Sequence, residues 1–328
     1  MTDTGTVAVT DHPFRDLDIE RSILEPNGYS VEEHQCATAG EVADACAGAV
    51  GVLNTYAPMP ADVIGRLERC RAIARYGVGV DTIDVGAATT RGILVTNVPD
   101  YCVEEVALHT IALLLAAYRR VVRGDRLVRE GTWGALAPGP VHRLAGQLLG
   151  LVGCGRIPRS VAPKALTLGM RVAAHDPFVS EDAWPDGIER YDDIGDLAAQ
   201  ADFLSMHAPL TDDTRHLVDE RFLRRMPPHA VLINTARGGL VDTEALDRAL
   251  AEGWIGGAAL DVLDTEPPAA DLPLLRHHSA VVTAHQAFYS EEALRELQQK
   301  AAENMLDALA RRRPRYLVNA DALAEATS

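Results

Sequence analysis

The feature that most constrains this chain is an alternation of short apolar runs with helical stretches, sustained almost from end to end. VAVT (7–10), AVGVLN (49–54), AIARY (72–76) and ILVTNV (93–98) read as strands in the first part. LLGLV (148–152), RVAAH (171–175), FLSMH (203–207), VLIN (231–234), GAALDV (257–262) and AVVTA (280–284) follow in the second. Strands this short and apolar, separated by helices, build βαβ units and parallel sheets covered on both faces. The expected fold is α/β, with two doubly wound parallel-sheet units joined by a long helical stretch over about 103–131. The last helix, starting at Ser290, carries Leu294, Leu297, Ala301, Met305 and Leu309 on one stripe. It is expected to return to the first unit, so the domains are 1–99 with 289–328, and 100–288.

With 328 residues the chain has length for two full cores. Its net charge of −16 argues against nucleic acid or an anionic membrane as the main partner. The five cysteines are scattered and lack zinc-like spacing, which points to a reduced, cytoplasmic protein. The opening MTDTGTVAVTDH is acidic and lacks the apolar core of a secretory signal. The most apolar segment, 111–117, is too short to span a bilayer.

Two GxG turns follow strands, GVGVDT (77–82) and GCGRIP (153–158), and each has an aspartate 23 residues beyond its first glycine, Asp100 and Asp176. Spacing does not choose between them; electrostatics do. A pyrophosphate sits on free N–H groups and the positive end of a helix. Asp81 and Asp84 would repel it at the first loop, whereas Arg156 would attract it at the second. Gly153, Gly155 and Arg156 are therefore assigned to the cofactor, with Asp176 accepting from the adenosine ribose. No arginine follows within HDPFVSEDAW to hold a 2′-phosphate, so NAD is favoured over NADP. Pro158 replaces the third glycine of the usual fingerprint, and Pro163 is expected to kink the following helix.

Three predicted strand ends in the second part carry Arg237, Glu266 and His285. Each has a plain structural reading: a solvated loop charge, a turn residue before two prolines, a satisfied core histidine. Together they fall where doubly wound folds keep their ligands. Reduction of a 2-oxo acid needs a carboxylate anchor, a hydride donor and a proton for the developing alkoxide. Arginine's planar fork suits the first, a histidine the last, and a neighbouring glutamate favours the imidazolium. Gly238 and Gly239 are read as allowing a tight turn beneath Arg237.

The stretches ARYGVGVDTID, NVPDYCVEEVALHTIALLL, LLGLVGCGRIP, LINTARGGLVDTEAL, GAALDVLDTEPP and TAHQAFYSEEAL resemble the D-isomer-specific 2-hydroxyacid dehydrogenases over nearly the full length, most of all the C-terminal-binding-protein branch. The resemblance implies a flavodoxin-like substrate domain and a Rossmann NAD-binding domain. It implies Arg237, Glu266 and His285 as the catalytic trio, with His285 as acid/base. It implies NAD contacts at Arg156, Ile157, Asp176, the stretch from His207 through Ala208 and Pro209 to Thr214, Thr235 with Ala236, and Asp261. It turns the first glycine loop into a substrate site, with the N–H groups of Val78 and Gly79 on the carboxylate and Arg75 and Tyr56 nearby. It also implies a homodimer built through the arm in 103–131.

Ala284 stands where the family carries proline, and Phe288 where the closest branch carries tryptophan. Both bear on the pocket and leave the 2-oxo acid open; Phe288 is either an apolar wall for substrate or core. Two other functions stay in view. One is an NAD(H)-sensing scaffold of the corepressor kind; the other is reduction of a phosphonate-bearing oxo acid.

Overall fold

The computed structural model describes residues 4–320, so the outermost residues of the assigned domain segments, 1–3 and 321–328, lie outside it. The chain divides into two compact units: residues up to Cys102 together with those from Tyr289 onward, and Val103–Phe288 between them.

The first unit is built on a five-stranded sheet of β1 (Gly5–Val9), β2 (Tyr29–Glu33), β3 (Gly51–Asn54), β4 (Ala72–Arg75) and β5 (Leu94–Thr96). All pairings are parallel, and the order β2-β1-β3-β4-β5 is that of flavodoxin-like folds. β3 and β4 are buried at every position because helices cover both faces. The terminal helix Glu291–Leu309, capped by Ser290 accepting from the Ala293 amide, packs on β3, β4 and the helix Asp18–Leu24 of this unit. Under it lies a buried polar cluster. Glu20 accepts from the Tyr76 hydroxyl at 2.8 Å and from Gln298 Nε2 at 3.1 Å, and burial pushes its carboxyl above the usual range despite these bonds.

The second unit holds a seven-stranded parallel sheet: β6 (Leu148–Val152), β7 (Arg171–His175), β8 (Glu189–Arg190), β9 (Phe203–Met206), β10 (Val231–Asn234), β11 (Gly257–Leu260) and β12 (Ala280–Val282). Its order is β12-β11-β10-β9-β6-β7-β8. The order reverses at β6 and β9, which sets a crevice beyond their carboxyl ends. Each fully buried branched side chain in the sheet contributes about 2 kcal/mol of transfer free energy.

The stretch over 103–131 is two helices rather than one: Val103–Tyr118 and Val121–Arg129. The break falls at Arg120, whose left-handed φ of 54° cannot continue a helix. The helix Arg156–Thr167 runs through Pro163 as a single element, with Pro158 buried in its first turn. Among the described residues no helix is long and apolar enough to cross a membrane.

Candidate active site

The two glycine loops occupy different settings. Gly153 leaves β6 at φ 104°, and a Cβ there would lie 3.0 Å from the His207 carbonyl, so this position needs glycine both for its dihedral and for closeness to the chain leaving β9. Gly155 caps the helix Arg156–Thr167, and nothing lies within 4 Å of where its Cβ would point. The start of that helix lies at the sheet's switch point with open space beside Gly155, where a pyrophosphate could meet its first-turn N–H groups. Asp176 follows β7 directly; its carboxylate accepts from the Cys154 and Phe178 amides, which fixes it beside the loop. These residues fit a dinucleotide. In the first unit, by contrast, Asp84 caps the short helix Val85–Thr90 by accepting from the Ala87 amide. Asp100 accepts from Lys300 and Tyr316, so it is a structural anchor rather than a ribose ligand.

Beyond β9 the loop from His207 closes on itself: the Thr214 hydroxyl donates to the Pro209 carbonyl and accepts from the Thr211 amide. His207 lies 2.9 Å from the Ser205 hydroxyl, and burial pushes its imidazole down to about 3, so it stays neutral at physiological pH. Thr235, past β10, is buried against Thr110, with their hydroxyls 2.9 Å apart.

Arg237, Glu266 and His285 all leave the carboxyl ends of adjacent strands. Asn234, buried at the end of β10, sets the first: its amide donates to the Arg237 carbonyl and its oxygen accepts from the Ala236 amide. Neither Gly238 nor Gly239 has a left-handed φ. They serve close approach instead, since a Cβ on Gly238 would fall 1.9 Å from the Leu263 backbone and one on Gly239 3.0 Å from Leu210. Packing against backbone, not turn geometry, demands glycine at 238, whereas at 239 the Leu210 side chain would have to give by only a few tenths of an ångström.

Glu266 accepts from the Leu263 amide at 2.8 Å through Oε1 and meets His285 Nδ1 at 2.7 Å through Oε2. His285 sits at φ 50°, a conformation costly for a side chain with a Cβ and kept where surrounding bonds impose it. Those bonds come from Asp261, which is 1% exposed. Its carbonyl accepts from the His285 amide at 2.7 Å, and its carboxylate accepts from the Gln286 and Ala287 amides and the Thr283 hydroxyl. Burial pushes the Asp261 carboxyl up, but His109, Thr283 and those amides outweigh it and hold it below the ordinary aspartate range. Phe288 stands edge-on to His285, ring centroids 6.2 Å apart.

In the first unit, β1 and β3 form the corresponding switch point. Asp11, beyond β1, accepts from the amides of Thr55, Tyr56 and Ala57 and so fixes the half-exposed Tyr56. Buried Arg75 folds over Gly77, where a Cβ would lie 1.4 Å from Nη1. No backbone acceptor among the described residues meets the N–H of Val78 or Gly79. Asn234, Thr283 and His109 are the site residues that sequence reasoning passes over. The only signal for them is polar residues inside otherwise apolar elements.

Comparison with known proteins accords with this geometry. The model of the D-isomer specific 2-hydroxyacid dehydrogenase NAD binding domain matches residues 111–287. A glyoxylate reductase of Korarchaeum cryptofilum is 43% identical over 267 residues, covering 80% of each chain. A glycerate dehydrogenase of Methylorubrum extorquens is 36% identical over 97% of this chain and 100% of its own. The crystal structure of the TT0316 protein of Thermus thermophilus superposes with a TM-score of 0.86 at 38% identity, covering 95% of this chain and 99% of that one. None of these three names points to the C-terminal-binding-protein branch. The chain belongs to the D-isomer specific 2-hydroxyacid dehydrogenases, NAD-dependent oxidoreductases of the CH–OH group.

Proposed function

We propose that this protein reduces a small 2-oxo acid of glyoxylate or hydroxypyruvate size, with His285 as the acid. The observation that carries the reading is the 2.7 Å pairing of His285 Nδ1 with Glu266 at the sheet edge that also presents Arg237. The names of the two relatives, glyoxylate reductase and glycerate dehydrogenase, support the substrate size.

Gly153, Gly155, Arg156, Ile157 and Asp176 would hold the dinucleotide, with His207, Ala208, Pro209, Thr214, Thr235, Ala236 and Asp261 along the rest of it. Bound there, reduced NAD supplies the hydride. Arg237 pairs with the substrate carboxylate and polarises the ketone. His285 donates the Nε2 proton as the alkoxide develops, and Glu266 keeps the ring oriented through Nδ1. The N–H groups of Val78 and Gly79, with Arg75 and Tyr56, are the first unit's groups for a carboxylate. The exposed apolar side chains of 121–136 support a homodimer built through the arm, and the five free cysteines support a reducing cytoplasm.

The test is NADH consumption with a panel of glyoxylate, hydroxypyruvate, pyruvate, phenylpyruvate and phosphonopyruvate. Fastest turnover is expected with one of the first two. Tight NADH binding with no oxidation by any of them would sink the reductase reading in favour of a sensor. A preference for phosphonopyruvate would overturn the substrate size.

A further inference from the structure

One turn of the helix Val103–Tyr118 fastens the ends of three adjacent strands, each of which leads into one member of the catalytic trio. Thr110 holds Thr235, two residues before Arg237. Its own hydroxyl proton goes to the Val106 carbonyl, so Thr235 donates in that pair. His109 Nε2 lies 3.1 Å from Thr283 Oγ1, past β12, and 3.4 Å from Asp261 Oδ1, past β11. The Thr283 hydroxyl donates to the same Asp261 oxygen at 2.5 Å. With that proton spent, both atoms facing Nε2 are acceptors, which fixes His109 as the tautomer carrying its proton on Nε2.

From this geometry we infer that His109 is a positioning residue for turnover, with Thr110 as its companion: its Nε2–H clamps the Asp261–Thr283 pair that imposes the left-handed backbone of His285. The inference rests on His285 as the acid. It adds that the placement of this acid is governed by a helix residue that does not touch it. Nothing in the acid/base chemistry itself requires a histidine at 109; the requirement is for one N–H donor of that reach. Glutamine has such a donor and leucine does not.

The experiment compares His109→Leu and His109→Gln, with His285→Ala as the control on the underlying reading. It uses glyoxylate and hydroxypyruvate as probes and NADH or its 4-deuterated form. For His109→Leu, kcat should fall roughly tenfold to a hundredfold, the range for lost support of an active-site group. KM and the NADH Kd should hold within about threefold, and the primary isotope effect on kcat should rise as the misplaced acid makes chemistry slower. His109→Gln should recover most of kcat. A loss of active protein alone would lower the rate with the isotope effect unchanged, and that result overturns the inference, as does a His109→Leu enzyme turning over at the native rate. An active His285→Ala enzyme would instead bring down the reading of His285. A second measurement does not depend on turnover: a crystal structure of His109→Leu should show residues 283–288 rearranged and His285 out of its left-handed φ. An unchanged loop contradicts the proposal.

Discussion

His285 shows how much of a functional side chain's behaviour is decided by atoms outside it. Its type and its place after an apolar strand are readable in TAHQAFYS, but its left-handed backbone comes from an aspartate 24 positions earlier, and its ring orientation from a glutamate 19 positions earlier. The same split holds for the cofactor loop. Gly153, Gly155 and Asp176 are legible because the fingerprint has a fixed spacing along one βαβ unit. Thr283 is not, since it works only through Asp261 and His109, partners that the fold brings to it. Asp176→Ala is expected to weaken NADH binding about tenfold to a hundredfold, by removing the proposed ribose acceptor while leaving the loop's helix in place. Fluorescence titration with NADH checks this, and an unchanged Kd would remove Asp176 from the site.

Elements buried on both faces were the ones their composition announced, because a run such as VLIN or LLGLV has no polar side to misread. The strands that escape such reading are β2, with sequence YSVEE, and β8, with sequence ER; both lie at sheet edges and are largely exposed. Edge strands need only one apolar face, and two residues carry no period at all. The break at Arg120 escapes for another reason: a left-handed arginine has no compositional mark, unlike a glycine. The Gly238–Leu240 turn gives the sharpest prediction at this scale. Gly238→Ala should destabilise the protein by about 1–3 kcal/mol, the cost of forcing a methyl group into packed backbone, and should lower turnover because the turn begins at Arg237. Thermal unfolding with kinetics checks both; a variant with native Tm and kcat would contradict the packing argument.

At the scale of the whole molecule, the arm carries Val121, Val122 and Val128 open to solvent, and just past it Trp133 and Leu136 are each 88% exposed. A cluster of this kind on one segment is what a subunit contact presents. The proposed dimer predicts that the native protein sediments at twice the chain mass and that Trp133→Glu with Leu136→Glu shifts it toward the monomer; a native protein that is monomeric at micromolar concentration would end that proposal. The parallel-sheet architecture is readable in the alternation of elements, whereas the small size of the substrate rests on the relatives' names and on no single residue of the chain. His285 is proposed to supply the proton for reduction of the 2-oxo acid. Its most direct test is the kcat for glyoxylate or hydroxypyruvate reduction by His285→Ala, measured beside NADH affinity. A fall of roughly a hundredfold or more with NADH bound as tightly as before is the predicted result; native turnover by that variant would contradict the account.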